Sequence, residues 1–181
     1  MTRSKVMQAA ITIDRIKTPL GEILLAADGK GRLHAADFAD YESRMRSLLD
    51  RRLGKLNYDL HPGRVPATIK TAFKDYFAGD LAAIRDMTLK TGGTSFQDSV
   101  WTALRKIRPG QPLSYSALAR RLGKPQSARA VGHANGANPF CIVVPCHRLV
   151  GANGDLTGYA GGIERKRWLL DHEARHAAKG A

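Results

Sequence analysis

Residues 114–134 read Ser-Tyr-Ser-Ala-Leu-Ala-Arg-Arg-Leu-Gly-Lys-Pro-Gln-Ser-Ala-Arg-Ala-Val-Gly-His-Ala. Ser114–Leu122 carries apolar residues at helical spacing, Gly123-Lys124-Pro125 interrupts it, and Ser127–Ala134 resumes it. Leu118 and Leu122 can pack against Val131, so the stretch predicts two short helices joined by a glycine-containing turn, a helix-turn-helix. Many helical hairpins never touch nucleic acid, so this pattern narrows the fold more than the function.

Upstream, Thr94 and Gln97 form a capping box in which each side chain can satisfy the other's exposed backbone N–H. Phe96, Val100, Ala103, Leu104 and Ile107 continue that helix until Pro109-Gly110 ends it. Lys90–Gly93 reads as a linker, dividing the chain into 1–92 and 93–181. In the first part, Val6–Ile16 and Gly21–Ala27 flank Thr18-Pro19-Leu20-Gly21, a hairpin signal. Leu33–Phe38 is a candidate third strand after the Gly29-Lys30-Gly31 turn. Tyr41–Leu53, with Met45, Leu48, Leu49 and Leu53 on one face, and Ala67–Ala78, stopped by Gly79, predict helices. The first half is therefore an α/β unit and the second mostly helical. Arg3 and Lys5 before Val6–Ile13 faintly echo a signal peptide, but Gln8 and Thr12 break its apolarity and Asp14-Arg15 closes it without a small-residue cleavage site.

At 181 residues and 43% hydrophobic, the chain can bury one good core or two small ones. A charged fraction of 25% is ordinary and argues against disorder. The net charge of +13 attracts polyanions, nucleic acid foremost. Residues 1–92 hold 16 Lys/Arg against 11 Asp/Glu and residues 93–181 hold 13 against 5, so the second half is the better candidate for that contact. No stretch approaches the roughly 18 apolar residues of a membrane span. The two cysteines, Cys141 and Cys146, are too few for a disulfide framework or a tetrathiolate zinc site, and they suggest a reducing, cytoplasmic home. The histidines are read as scattered.

Ile142–Val144 reads as a short apolar strand that Pro145, lacking an N–H, must end. Cys146 would then stand at a strand end with His147 and Arg148 beside it, the residue types that lower a thiol's pKa from about 8.5 toward neutral. A Cys-His pair alone is more often a buried thiol beside an incidental histidine. The wider pattern reverses that balance. Asn138-Pro139-Phe140-Cys141-Ile142-Val143-Val144-Pro145-Cys146-His147-Arg148-Leu149-Val150 resembles the active-site signature of the O6-alkylguanine-DNA alkyltransferases of the bacterial Ogt type. Gly154–Gly162, Lys166–Glu173 and Ser114-Tyr115 with Ala128-Arg129-Ala130-Val131-Gly132 match the same family in register. In the first half the resemblance is looser, mainly Thr18–Gly21 and Tyr76–Gly79.

The resemblance implies a ribonuclease H-like N-terminal domain followed by a winged-helix domain. It implies irreversible, single-turnover transfer of a methyl or alkyl group from O6-alkylguanine in duplex DNA to Cys146 after base flipping, with O4-alkylthymine left open. His147 would be the base, acting through a bridging water and held by Glu173, while Asn138 pins the loop. Tyr115 would help rotate the nucleotide and donate a proton to N3. Arg129 would fill the gap in the base stack, with Ala128, Ala130 and Gly132 keeping its helix slim enough for the minor groove. Tyr159 and Gly161-Gly162 would wall and cover the pocket, and the Leu149 N–H and the Cys146 carbonyl would meet the guanine edge. Ala160 replaces a serine of some members, and Cys141 a proline or small polar residue. Cys141 is read as pocket lining, with a second reactive thiol as the lesser alternative. No metal is implied, since residues 1–92 contain no cysteine, and no organic cofactor. A monomer is expected, with cooperative binding along DNA left open. A lesion sensor of the same family would carry Trp at position 146. A Cys-His hydrolase would leave the helix-turn-helix idle, and a plain DNA-binding regulator would make Cys146 incidental.

Overall fold

The computed structural model describes residues 8–177. Val6 and Met7, part of the strand expected at the N-terminus, lie outside that range. Strands β1 (Ala9–Thr18) and β2 (Gly21–Asp28) form the expected hairpin. Its turn is closed by Thr18, whose hydroxyl donates to the Gly21 carbonyl and accepts from the Leu20 N–H. Gly21 takes φ +102°, a conformation that side chains resist and glycine does not. Strand β3 (Leu33–Phe38) pairs antiparallel with β2, and β4 (Tyr58–Pro62) adds to the far edge parallel to β1, giving the order β3-β2-β1-β4. The sequence reading missed β4, because Tyr-Asp-Leu-His-Pro is a short edge strand whose inward face is only Tyr58 and Leu60.

Alternation along β2 sorts the core into two layers. Leu24 and Ala26 face α1 (Glu42–Leu53) through Met45 and Leu49. Ile23, Leu25 and Ala27 face the other way, into a larger core shared with α2 (Ala67–Ala78) and with the second half of the chain. The two halves therefore have one common core.

The second half begins with α3 (Ser95–Arg105), opened by the Thr94–Gln97 capping box. A two-residue strand β5 (Leu113–Ser114) leads into α4 (Tyr115–Arg121), capped by Ser114. The chain turns at Gly123 and enters α5 (Ala128–Gly136). Buried Leu118 and Val131, with Leu122 packed beside them, hold this helix-turn-helix together. Strand β6 (Leu149–Val150) pairs parallel with β5, and α6 (Ile163–Ala177) closes the fold.

The open edge of β3 is where the halves are joined. Leu33 exchanges backbone hydrogen bonds with Thr88 and Lys90, and Ala36 with Pro139 and Cys141. This pairing covers an edge that would otherwise be exposed and anchors the loop that carries Cys146. Lys90 is thus tied to the sheet, which narrows the linker anticipated at Lys90–Gly93. Arg52 secures it further, donating to the carbonyls of His34, Lys90 and Thr91.

Candidate active site

Ile142–Val144 is not a strand. The chain leaves the β3 edge at Phe140, turns through Cys141–Val144 and enters a 3-10 turn at Cys146–Arg148. The break falls at Ile142, which takes φ +72°, a conformation that a β-branched side chain strongly resists. A conformation of this kind costs about 1–3 kcal/mol and persists only when its surroundings over-determine it. Asn138 supplies much of that constraint. Its amide donates to the Val144 carbonyl at 2.8 Å and its oxygen accepts from the Phe140 N–H at 2.9 Å, bracing both ends of the turn.

Cys146 lies almost buried on a cavity of about 450 Å³, within the range of small-ligand sites. Tyr115 from the first turn of α4, Asn138, Cys141, Tyr159 and Ala160 line the same cavity. A second, larger cavity of about 700 Å³ lies against Ile142, Val143, Pro145 and Arg148 of the same loop, without Cys146. The smaller one holds the candidate nucleophile and is the candidate site.

Burial pushes the Cys146 thiol up, offset in part by Asn138 and by the cations Arg44 and Lys166. This corrects the expectation that its sequence neighbours bring it toward neutrality. Arg148, beside it in the chain, is turned away: its Nε and Nη2 donate to the Glu173 carboxylate at 2.8 Å each, and Nη1 donates to the Ile107 carbonyl at 2.5 Å. Glu173 is fully buried and also accepts from Tyr76 Oη at 2.8 Å and from His147 Nε2 at 2.8 Å. Burial alone would raise its pKa, but His147 and Arg148 outweigh that and hold the carboxyl well below the usual carboxylate range. Glu173 is therefore an anion that can only accept, so His147 Nε2 carries the proton facing it. In the neutral imidazole the lone pair is then on Nδ1, which is buried and has no hydrogen-bond partner among the described residues. Burial also lowers the His147 pKa, so the neutral form is favoured for the ring as it is for the thiol of its chain neighbour Cys146.

Lys166 was not singled out from the sequence. It is fully buried on α6, and its Nζ donates to the Leu149 carbonyl at 2.5 Å and the Thr157 carbonyl at 2.8 Å. It ties the turn after Cys146 to the loop that carries Tyr159. A Lys-Arg-Trp run reads as a solvated helix face. The signal was the spacing Lys166, Leu169, His172, Glu173, one face of α6 and all buried. Arg44 was missed for another reason: it lies on α1, far away in sequence, and reaches the cavity only through the packing of the halves.

The loop over the cavity is also held from the N-terminal half. Arg165 donates to the Gly161 and Leu20 carbonyls and to the Asp40 carboxylate, with its guanidinium 4.0 Å above the centre of the Phe38 ring. Gly161 must be glycine here, since a Cβ would lie 2.6 Å from the Tyr159 ring and 2.8 Å from Phe38.

Cys141 faces Tyr159, Sγ to Oη 3.3 Å, and burial pushes its thiol far up. Leu149 is buried outside the cavity lining, and its N–H bonds to the Cys146 carbonyl within the 3-10 turn. These are the two main-chain groups anticipated at a guanine edge, and here they are bonded to each other. Ala128, Arg129 and Gly132 line a groove beside the cavity, and Ala130 is exposed on the same helix. His172 and His176 are not scattered, for they stand four residues apart on α6 with ring centres 4.4 Å apart. His172 Nε2 donates to the Tyr76 carbonyl and His176 Nδ1 to the His172 carbonyl, so both serve the packing of α6.

Comparison with known proteins adds an independent line. Residues 12–91 match the ribonuclease-like domain of 6-O-methylguanine DNA methyltransferase, and residues 95–175 match its DNA binding domain. A Salmonella typhimurium protein named methylated-DNA–protein-cysteine methyltransferase is 49% identical over 88% of this chain and 94% of its own. The crystal structure of the Mycobacterium tuberculosis O6-methylguanine methyltransferase superposes with a TM-score of 0.74 at 38% identity, covering 92% of this chain and 94% of that one. A structure of the Mycobacterium tuberculosis protein in complex with DNA gives the same TM-score at 36% identity and the same coverage. No helix among the described residues is long and apolar enough to cross a membrane.

Proposed function

Because this chain belongs to the 6-O-methylguanine DNA methyltransferase family, we propose that it repairs DNA by transferring the alkyl group of O6-alkylguanine directly to Cys146. The observation that carries this reading is the ionised Glu173 locking His147 with its Nδ1 lone pair free, one residue along the chain from a thiol that opens on a cavity of about 450 Å³, ample for a base.

The thiol proton passes to His147 Nδ1, directly or through a water, and Glu173 stabilises the imidazolium that forms. The thiolate sulfur attacks the alkyl carbon, the S–C bond forms as the C–O6 bond breaks, and the electron pair leaves with the guanine. Tyr115, at the cavity wall, supplies a proton to N3 of the departing base. The directions of the pKa shifts suit this order. Thiol and imidazole rest neutral, and charge separation occurs only when the lesion is there to consume the thiolate. A thioether offers no leaving group for regeneration, so each molecule acts once.

The reacting oxygen is inside the base stack, so the nucleotide must be extruded. Arg129, exposed near the start of α5, is suited to fill the gap. A Cβ on Gly132 would meet the Tyr115 ring at an ordinary 3.9 Å, so packing within the protein does not demand glycine there. Small residues at 128, 130 and 132 are instead suited to a narrow minor groove, where contacts depend little on sequence. Tyr159, Ala160 and Cys141 bound the space for the alkyl group. We assign residues 1–92 to support and 93–181 to DNA binding and alkyl transfer. The acting species is a monomer in the cytoplasm, where thiols stay reduced.

The test is a duplex bearing radiolabelled O6-methylguanine. Stoichiometric label on Cys146, abolished by Cys146→Ser, is the expected result. Release of the methyl group into solution with turnover, or no transfer at all, refutes the reading.

A further inference from the structure

We propose that the face of α1 bearing Arg44 and Arg51 grips the phosphodiester backbone of the damaged strand beside the nucleotide entering the cavity. The DNA interface would then extend into the N-terminal half. This inference rests on the function proposed above and assigns α1 a part in it.

A groove of about 630 Å³ runs between α1 and α5. It is continuous with the Cys146 cavity, the two sharing Arg44, Tyr115, Gly132 and Gly136. A base drawn into the cavity leaves its flanking phosphates at this mouth, and α5 forms only one wall of it. The other wall is Arg44, Leu48 and Arg51, spaced i, i+4 and i+7 on a single face of α1. No carboxylate of the described residues lines the groove. Among the described residues Arg51 makes no salt bridge, and neither does Arg129 across from it.

Arg44 is set in place before any ligand arrives. Its Nε and Nη2 donate to the two oxygens of Asp37, and the guanidinium is 4.8 Å from the centre of the Tyr41 ring. Those bonds use two of the five guanidinium N–H groups, and among the described residues Nη1 has no hydrogen-bond partner. A planar fork already fixed in orientation loses little entropy on meeting a phosphate. Arg51 also complements the negative C-terminal end of α1. That accounts for a cation in the last turn, but not for two on one face over a groove free of acids.

The experiment measures affinity of the Cys146→Ser protein for an O6-methylguanine duplex as a function of salt concentration, with Arg51→Gln, Arg51→Lys and Lys74→Gln added in turn. Thermal melting checks the fold of each. A single lost phosphate contact lowers the slope of log affinity against log salt by about one. Arg51→Gln is expected to show that change with about a three- to tenfold weaker affinity at physiological salt. Arg51→Lys is expected to retain the parent slope, as is Lys74→Gln, which removes an exposed charge on α2 outside the groove. Arg51→Gln with the parent affinity and slope overturns the inference, and so does an equal loss in Lys74→Gln. The two readings fail separately. Absence of label on Cys146 in the unmutated protein refutes the function, whereas normal labelling with a silent Arg51→Gln refutes only the role of α1.

Discussion

Replacing Glu173 by Gln tests whether the buried carboxylate drives the chemistry or only holds the fold. The carboxylate accepts four hydrogen bonds, two from Arg148 and one each from Tyr76 and His147. Arg148 is nearly buried, with the Ile107 carbonyl as its other partner. Gln keeps the shape but removes the charge, and turns an N–H₂ toward groups that are themselves donors. Breaking a buried ion pair from one side costs about 3–5 kcal/mol, a large part of the roughly 5–15 kcal/mol that holds a domain together. For a chain of this size that corresponds to a melting point lowered by roughly 6–20 °C.

A second effect falls on the reaction. The imidazolium formed during transfer loses a charge-assisted bond of about 1.5–3 kcal/mol, which slows transfer by roughly ten- to a hundredfold. Glu173 also raises the His147 pKa against the lowering effect of burial. Without it that pKa falls further, and the rising limb of the pH–rate profile moves to lower pH. The assay is single-turnover transfer from an O6-methylguanine duplex across pH, at a temperature where the variant is shown to be folded. A variant that melts low yet transfers within about twofold of the parent, with an unmoved pH limb, refutes the positioning role and leaves Glu173 as scaffold. One that melts with the parent refutes the energetic argument itself.

Two further outcomes follow from the same geometry. Arg165→Leu frees the Gly161 carbonyl and the contact to Asp40; because the pair is partly exposed, the melting point should change little, while the rate constant with free O6-benzylguanine falls about tenfold, equivalent to about 1.4 kcal/mol. An unchanged rate shows that the cavity loop needs no tie to the N-terminal half. Burial lowers the pKa of His34, His147 and His172, so below the unfolded value of about 6.5 the unfolded chain binds more protons and stability falls with pH. The loss begins as pH drops through about 6.5, continues toward the folded pKa values, and reaches up to ~1 kcal/mol per histidine by pH 5.5. Urea midpoints at pH 7.5 and 5.5 check it, and a flat profile refutes the buried, neutral state of these rings.

Local pattern sufficed wherever the physics is local. The Thr94–Gln97 capping box, the Thr18–Gly21 turn, the stop at Gly79 and the helix-turn-helix around Gly123 all depend on residues a few positions apart, and each was legible in the chain. The motif around Cys146 was legible as a family pattern, although its conformation was not. Ile142–Val144 has the composition of a strand, and only the brace from Asn138 and the backbone pairing of Pro139 and Cys141 with Ala36 force a β-branched residue to positive φ. The electrostatics likewise belong to tertiary structure. Arg148 is two residues from Cys146 in sequence yet is spent on Glu173, while the cations that act on the thiol, Arg44 and Lys166, come from helices on either side of it in the chain. A pKa depends on burial and on charges within a few ångströms, and chain order does not report those distances. Sequence alone singled out Cys146 as the candidate acceptor and His147 as its candidate base. The folded structure decided that burial favours the neutral form of both, that Glu173 leaves the free lone pair on Nδ1, and that α1 of the N-terminal half forms one wall of the groove beside the cavity.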